Sequence, residues 1–250
     1  MSREADAVAA MLPDGLIPPD GVLVVHSAFR GLGHHGYRVN DFIEALLDRL
    51  GGRATLLMPA MSWRTVTPSN PTFDELATPS HVGVVAEAFR VEYSAARSLH
   101  PTHSVSGVGP AAATLLARHH ADDTPVSANS PYGLMRDYEA FVLLLGVGFE
   151  RATAIHHAEE VVAPDLYLHP PHEAETYQCR TRLGTSRTVR LRRHLRLDRD
   201  FPQFEGRLAS RGRLLSGEVA GTRWRLTSVS DLLREVFAAL IARPDATLAR

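Results

Sequence analysis

Four short segments set the limits on how this chain can fold: the apolar runs GVLVVHS (21–27), ATLLMPA (54–60) and FVLLLGVG (141–148), and the small-residue run SVSGVG (104–109). Each is too short for a globular helix, and the three apolar runs lack the polar alternation of a half-exposed strand, so all four read as buried strands. Between them lie stretches with helical spacing. VNDFIEALLDRL (39–50) puts Phe42, Ala45, Leu46 and Leu50 along one face, with Asn40 as its expected N-cap and Gly51-Gly52 as its stop. VGVVAEAFRVE (82–92), PAAATLLARHH (110–120) and VSDLLREVFAALIA (229–242) continue the pattern. Alternating strands and helices predict an α/β fold: one domain over residues 1–250, its central sheet largely parallel or mixed and flanked by helices. The segment 61–80, with three prolines, is predicted to be a long functional loop. Beyond residue 170 the chain alternates threonine, arginine and apolar residues, which predicts a β-hairpin turning at Leu183-Gly184-Thr185.

Composition removes some chemistries. Lysine is absent, so all 27 basic side chains are arginine; an amine nucleophile and a lysine-bearing phosphate loop are both excluded. The formal net charge of -1 gives no reason to expect a nucleic acid or a membrane as partner. A single cysteine, Cys179, cannot form an internal disulfide, and its place in the hairpin predicts a packed thiol. The first residues, MSREADAVAAML, carry charge where a secretory leader requires an apolar run, and the longest apolar stretch is too short to span a bilayer. A cytoplasmic protein, monomeric or a homodimer, is the expectation.

Two local patterns bear on function. GLGHHG (31–36) satisfies the dinucleotide spacing G-x-G-x-x-G, but Ala28-Phe29-Arg30 separates it from the strand and the second strand ends without an acidic residue. A loop whose amides face some other phosphate, or a solvent loop, accounts for it as well. TAIHHAEEVV (153–162) pairs His156 with Glu159 and His157 with Glu160, three residues apart on a helix, so that one pair at most faces a cleft. Position directly after the glycine-ended strand GVG favours a catalytic role, since α/β folds place their sites there. A solvated helix with surface ion pairs and a zinc hydrolase with a distant third ligand are the alternatives.

The blocks VVHSAFRGLG, LLMPAMSW, FDELATPSHVGVVAEAFR, RSLHPTHSVSGVGP, SPYGLM and LLLGVGFERATAIHHAEE, in this order, resemble those of the aminoglycoside 3-N-acetyltransferase family over residues 20–165. The resemblance implies an α/β fold unlike that of the GNAT acetyltransferases, use of acetyl-coenzyme A as co-substrate, no metal, and a small-molecule amine as acceptor. It assigns Thr153, His156 and Glu159 to catalysis. It places His26, Ser27, Ala28, Phe29, Gly31 and Gly33 after the first strand, and Arg97, Ser98, His100, Ser104 and Val105 in a second block, beside the coenzyme. Segment 170–227 becomes a β-rich region on the acceptor side. Ala152 and Ala154 depart from the asparagine and serine common in the family.

The residue types suit this chemistry. An amine must lose a proton as it attacks a thioester, and an imidazole, with an unperturbed pKa of about 6.5, can take it. Glu159 would fix the ring tautomer, His157 would be carried along on another face, and Thr153 with amides at the helix start could meet the developing oxyanion. The acceptor's charge is open. Asp165, Glu173 and Glu175, with Asp74 and Glu75, could hold a polycation, whereas the eight arginines of residues 180–199, if they border the cleft, favour a neutral or anionic amine. On a solvated face they would say nothing about substrate; an Arg-rich RNA-binding module is the remoter alternative.

Overall fold

The computed structural model describes residues 2–250. Its strands, in chain order, are β1 (Val22–Ser27), β2 (Thr55–Pro59), β3 (Thr72–Asp74), β4 (Ala96–Arg97), β5 (Val105–Val108), β6 (Ala140–Leu145), β7 (Glu175–Arg180), β8 (Ser186–Leu191), β9 (Leu215–Val219) and β10 (Thr222–Ser228). Seven of them form one sheet in the order β4-β5-β2-β1-β6-β10-β9, and the other three form a small sheet ordered β3-β7-β8. The large sheet is mixed. Only its centre is parallel, where β1 lies between β2 and β6; β5, β4, β10 and β9 all join antiparallel.

β1 shows why its sequence lacks polar alternation. Val22 and Val24 enter the core on one face, with the helices Ala154–Val162 and Val229–Ala242. Leu23 and Val25 enter the core on the other, with the helices Arg3–Met11 and Val39–Leu50. Side chains alternate across a strand, so a strand covered on both faces needs apolar residues at every position. A third, smaller cluster under the three-stranded sheet contains Phe73, Tyr177, Val189, Leu191 and Cys179. The thiol is buried there, and burial pushes it up to about 12, which suits a packed side chain rather than a nucleophile.

Two local expectations are corrected, and one question left open is answered for β8. The helix Val39–Leu50 is capped by Arg38 without a side-chain bond, and Asn40 sits inside it with its amide on the Glu92 carboxylate at 2.8 Å. The stop is as expected, with Gly51 in the left-handed region at φ 60°. Residues Arg30–His34 form a short helix rather than a loop. Gly31 has a packing reason to be glycine, because a Cβ there would run into the hydroxyl of Thr222. Finally, the arginines of β8 lie on its solvent face: Arg187 and Arg190 are exposed while Val189 and Leu191 are buried. The hairpin closes through Thr181 and Thr185, whose backbones bond at 2.8 Å.

Candidate active site

A cleft of about 530 Å³ opens where β1 and β6 end. His26, Ser27 and Ala28 line it at the end of β1, and Val147, Glu150, Arg151, Ala152 and Thr153 with His156 form one side. The long loop supplies the opposite side through Met61, Trp63 and Arg64, with His81, Val82, Gly83 and Ala86 following; Val25, Pro59, His103 and Phe201 complete the lining. Two glycines let these walls approach. Gly83 holds φ +130° beside the Ser27 carbonyl, and a Cβ on Gly146 would overlap the Ala28 carbonyl.

The helix Ala154–Val162 starts at this cleft and brings the dyad to it. His156 Nδ1 lies 2.7 Å from Glu159 Oε2, with the imidazole partly exposed and the carboxylate wholly buried. Arg199 Nε sits 3.1 Å from both Glu159 oxygens, and the Thr247 hydroxyl donates to Oε1 at 2.6 Å. Burial alone would raise this carboxyl. The charge and hydrogen bond of His156, then Arg199 and Thr247, outweigh it and hold Glu159 at about 2. An ionised Glu159 accepts only, so Nδ1 carries the proton and Nε2 is left as the basic nitrogen. Phe201 meets the His156 ring edge-on at 5.0 Å between centroids.

The second pair expected on this helix does not form. His157 is buried and its Nδ1 donates to the Val126 carbonyl at 2.8 Å. Glu160 turns instead to the Thr124 hydroxyl at 2.6 Å, the Val126 amide at 3.0 Å and His194 Nε2 at 2.7 Å. Thr153 lines the cleft, and its hydroxyl makes only a 3.5 Å contact with the Arg151 carbonyl, so it is available to a substrate oxygen. Three further imidazoles in the cleft are depressed by burial: His26 to about 4, His81 to about 4 with help from Arg64, and His103 well below its ordinary value. Each is therefore neutral near pH 7.

The residues assigned to the coenzyme divide. His26, Ser27 and Ala28 line the cleft. Phe29, Gly31 and Gly33 do not, and the Gly33 amide is taken by the Phe29 carbonyl at 2.9 Å. Arg97, Ser98, His100, Ser104 and Val105 lie behind the cleft wall, most of their polar groups being spent within the protein, whereas His103 of the same block lines the cleft. Arg97 holds the long loop from beneath, donating to the carbonyls of Ala60 at 2.7 Å and Thr78 at 2.6 Å and to the Ser104 hydroxyl at 3.0 Å. Burial and then the charge of Arg90 press it down to about 9, where it is still a cation at neutral pH. Ser98 bonds the buried His119 at 2.9 Å, His100 Nδ1 accepts from the His103 amide at 2.9 Å, and Val105 packs in the core.

The acidic residues expected around a polycation also lie elsewhere. Asp165 pairs with Arg192, Glu173 with His169 and Glu175 with Arg193, all outside the cleft. Asp74 caps the amides of Leu76 and Ala77, and Glu75 accepts from the Arg182 amide at 2.9 Å. Of residues 170–227 only Phe201 lines the cleft, though Arg199 reaches the dyad from behind. The lining carries two arginines, Arg64 and Arg151, and one carboxylate, Glu150. His194, Arg199 and Phe201 were missed by sequence reasoning because nothing local to them marks the dyad they pack against. Among the described residues, no group of three or more His, Cys, Asp or Glu side chains is arranged to hold a metal, and no helix is long and apolar enough to cross a membrane.

A partly exposed imidazole held by a buried, ionised carboxylate, at the strand ends of a mixed sheet, gives an α/β protein a pair suited to general-base chemistry. The chain belongs to the aminoglycoside 3-N-acetyltransferase family, whose model matches residues 24–240. It is 34% identical over 160 residues to aminoglycoside N(3)-acetyltransferase IV from a Salmonella species, across 63% of this chain and 58% of that protein. In sequence the chain thus aligns with little more than half the length of that relative. The likeness in structure extends further. The apo crystal structure of the aminoglycoside acetyltransferase AAC(3)-IVa matches with a TM-score of 0.78 at 26% identity, covering 99% of this chain and 92% of that one. A histidine-to-alanine mutant of AAC(3)-IVa in complex with a gentamicin matches with a TM-score of 0.78 at 25% identity, covering 98% and 91%.

Proposed function

We propose that this protein transfers the acetyl group of acetyl-coenzyme A to an amine, with an aminoglycoside 3-amino group as the leading acceptor class, by direct attack without an acyl-enzyme. The observation that carries this is the 2.7 Å bond between His156 Nδ1 and Glu159 at the mouth of the cleft. His156 Nε2 takes the proton from the acceptor nitrogen as that nitrogen bonds to the acyl carbon, and Glu159 stabilises the imidazolium that results. Thr153, at the start of the catalytic helix, donates to the carbonyl oxygen as it gains charge. The carbon–sulfur bond then breaks, and the departing thiolate recovers a proton.

The residues present fit the coenzyme. Trp63, Val82, Ala86 and Val147 offer an apolar channel for the thioester arm, and Arg64 and Arg151 offer guanidinium forks for phosphate. Those same arginines support a second acceptor reading. A polycation would find only Glu150 in the lining, so a neutral or anionic biosynthetic amine fits the electrostatics as well. Steady-state assays with acetyl-coenzyme A and a panel of kanamycin- and gentamicin-type acceptors decide between them. A kcat/KM at or above ~10⁴ M⁻¹s⁻¹, in the ordinary enzyme range, supports the aminoglycoside; turnover confined to anionic amines supports the alternative.

A further inference from the structure

The catalytic helix supplies the carboxylates of two imidazole–carboxylate pairs, and the second, Glu160 with His194, has no role in the chemistry above. His194 comes from the strand segment bridged to Leu168, and its ring stacks face to face on that of His156, with centroids 4.5 Å apart and planes 27° apart. Glu159 grips one ring of the stack and Glu160 the other, each at 2.7 Å. His194 is more enclosed than His156, with 11% against 21% of its side chain exposed, and Glu160 is 3% exposed. Desolvating a polar pair is costly, and an apolar side chain would have filled this space more cheaply.

We propose that His194, steered by Glu160, is a positioning residue for the base: as a neutral imidazole it fixes the ring plane of His156, and the charge on Glu160 sets how readily His156 accepts a proton. The proposal rests on the assignment of His156 as the base. Facing His194 are His156 and both glutamates of the helix, His103 from the loop before β5, and Arg193 and Arg199 from its own segment. Burial, then His156, holds His194 well below its ordinary value, so no second cation stacks on the imidazolium. Facing Glu160 are the Thr124 hydroxyl, the Val126 amide, His194, His156 and His157. Burial dominates there and raises Glu160 to about 7, so its charge changes close to neutral pH. Its ionisation adds a negative charge behind the base and favours the protonated ring.

The test combines kcat–pH profiles with a ¹⁵N NMR titration of the His156 ring. It uses the intact protein and the variants His194→Ala, His194→Phe, Glu160→Gln and His156→Ala, each checked for its melting temperature. His194→Ala is expected to lower kcat about tenfold with both KM values nearly unchanged, as small misplacements of a base do. His194→Phe, which keeps a flat ring against His156, should recover most of that loss. Glu160→Gln should remove one ionisation near neutral pH from both the kcat profile and the His156 titration. Wild-type kcat in a folded His194→Ala variant, or wild-type titration of His156 in Glu160→Gln, overturns the positioning role while leaving the base intact. Wild-type turnover in His156→Ala overturns the base, and this proposal with it.

Discussion

Glu159 and Glu160 are neighbours in the chain, yet the fold displaces their carboxyl groups in opposite directions. Starting from an ordinary value of 4.5, Glu159 falls to about 2 despite complete burial, because His156, Arg199 and Thr247 all favour its anion. Glu160 rises to about 7, because burial outweighs the Thr124 hydroxyl and the Val126 amide. One turn of helix therefore carries an anion held against His156, the proposed base, and, beside it, a carboxyl that changes charge near neutrality.

These displacements predict opposite contributions to stability against pH. Glu159, depressed in the folded state, stabilises it above its ordinary value of 4.5, and this is lost as pH falls towards 2. Glu160, raised in the folded state, contributes stability that is complete below 4.5 and lost as pH rises through about 7. Each displacement corresponds to roughly 3 kcal/mol at its limit. Urea unfolding across pH should show Glu160→Gln gaining on wild type between about pH 5 and 8, and Glu159→Gln closing its deficit as the medium is acidified. Parallel curves for wild type and Glu160→Gln would show that the carboxyl titrates normally.

The two histidines of the motif should fail in different ways. His156→Ala is expected to lower kcat by about 10²–10⁴-fold with little change in melting temperature, the usual size of a lost general base. Glu159→Gln should act in the same parameter, and less. His157 is buried and bonded to the Val126 carbonyl, so His157→Ala should lower the melting temperature and leave kcat per folded molecule within about threefold. Comparable kcat losses at both histidines would mean that the cleft-facing side of the helix is misassigned.

The central strands were legible in the sequence because β1, β2 and β6 are buried on both faces and so lack the polar interruptions of edge strands. The antiparallel joining of β5 and β10 was not, since pairing direction depends on connections that propensity does not encode. The dyad was legible because its members are one helical turn apart. Its supports were not: His194 lies 34 residues from Glu160, Arg199 lies 40 from Glu159, and Thr247 lies 88 from Glu159. The second block of expected coenzyme residues shows the opposite difficulty. RSLHPTHSV is rich in groups that suit a ligand, and only the fold shows that Arg97, Ser98 and His100 bond to the protein behind the wall.

Arg97 acts through the long loop. Its guanidinium binds the carbonyl of Ala60, directly before that loop, and those of Glu75 and Thr78 within it, and stacks 4.7 Å above Phe73. Arg97→Ala should cost roughly 3–5 kcal/mol, the cost of breaking a buried charged network, and raise KM for acetyl-coenzyme A as Trp63 and Arg64 lose their support. Arg97→Lys should recover little, because an ammonium cannot serve carbonyls in several directions within one plane. Full recovery with lysine, read from melting curves and donor KM, would show that charge alone matters here.

Ligand linkage tests the cleft without turnover. Acetyl-coenzyme A at about a hundred times its Kd should stabilise the fold by ~2.7 kcal/mol, which for a chain of this size raises the melting temperature by roughly 5–10 °C. NAD should give no shift, since Arg30–His34 is helical and Gly31 is filled by Thr222 rather than open to a pyrophosphate. A shift with NAD and none with acetyl-coenzyme A would remove the acetyltransferase reading.

The charges at the cleft mouth separate donor from acceptor. Arg64 and Arg151 are exposed there, as is Glu150, whose Oε1 accepts from the Gly148 amide at 2.9 Å. If the guanidinium groups hold the coenzyme's phosphates, Arg64→Gln raises KM for acetyl-coenzyme A and leaves acceptor KM nearly unchanged. Glu150 is then the one lining carboxylate for an acceptor ammonium. Glu150→Gln should raise KM for a polycationic aminoglycoside several-fold, and the effect should shrink as ionic strength rises from about 0.01 to 0.15 M, where the screening length falls from about 30 to about 8 Å. A neutral or anionic acceptor gives the reverse signature. Its KM falls or stays level in Glu150→Gln and rises in Arg151→Gln. The same three variants, assayed with donor and acceptor varied in turn, therefore report which substrate each charge serves.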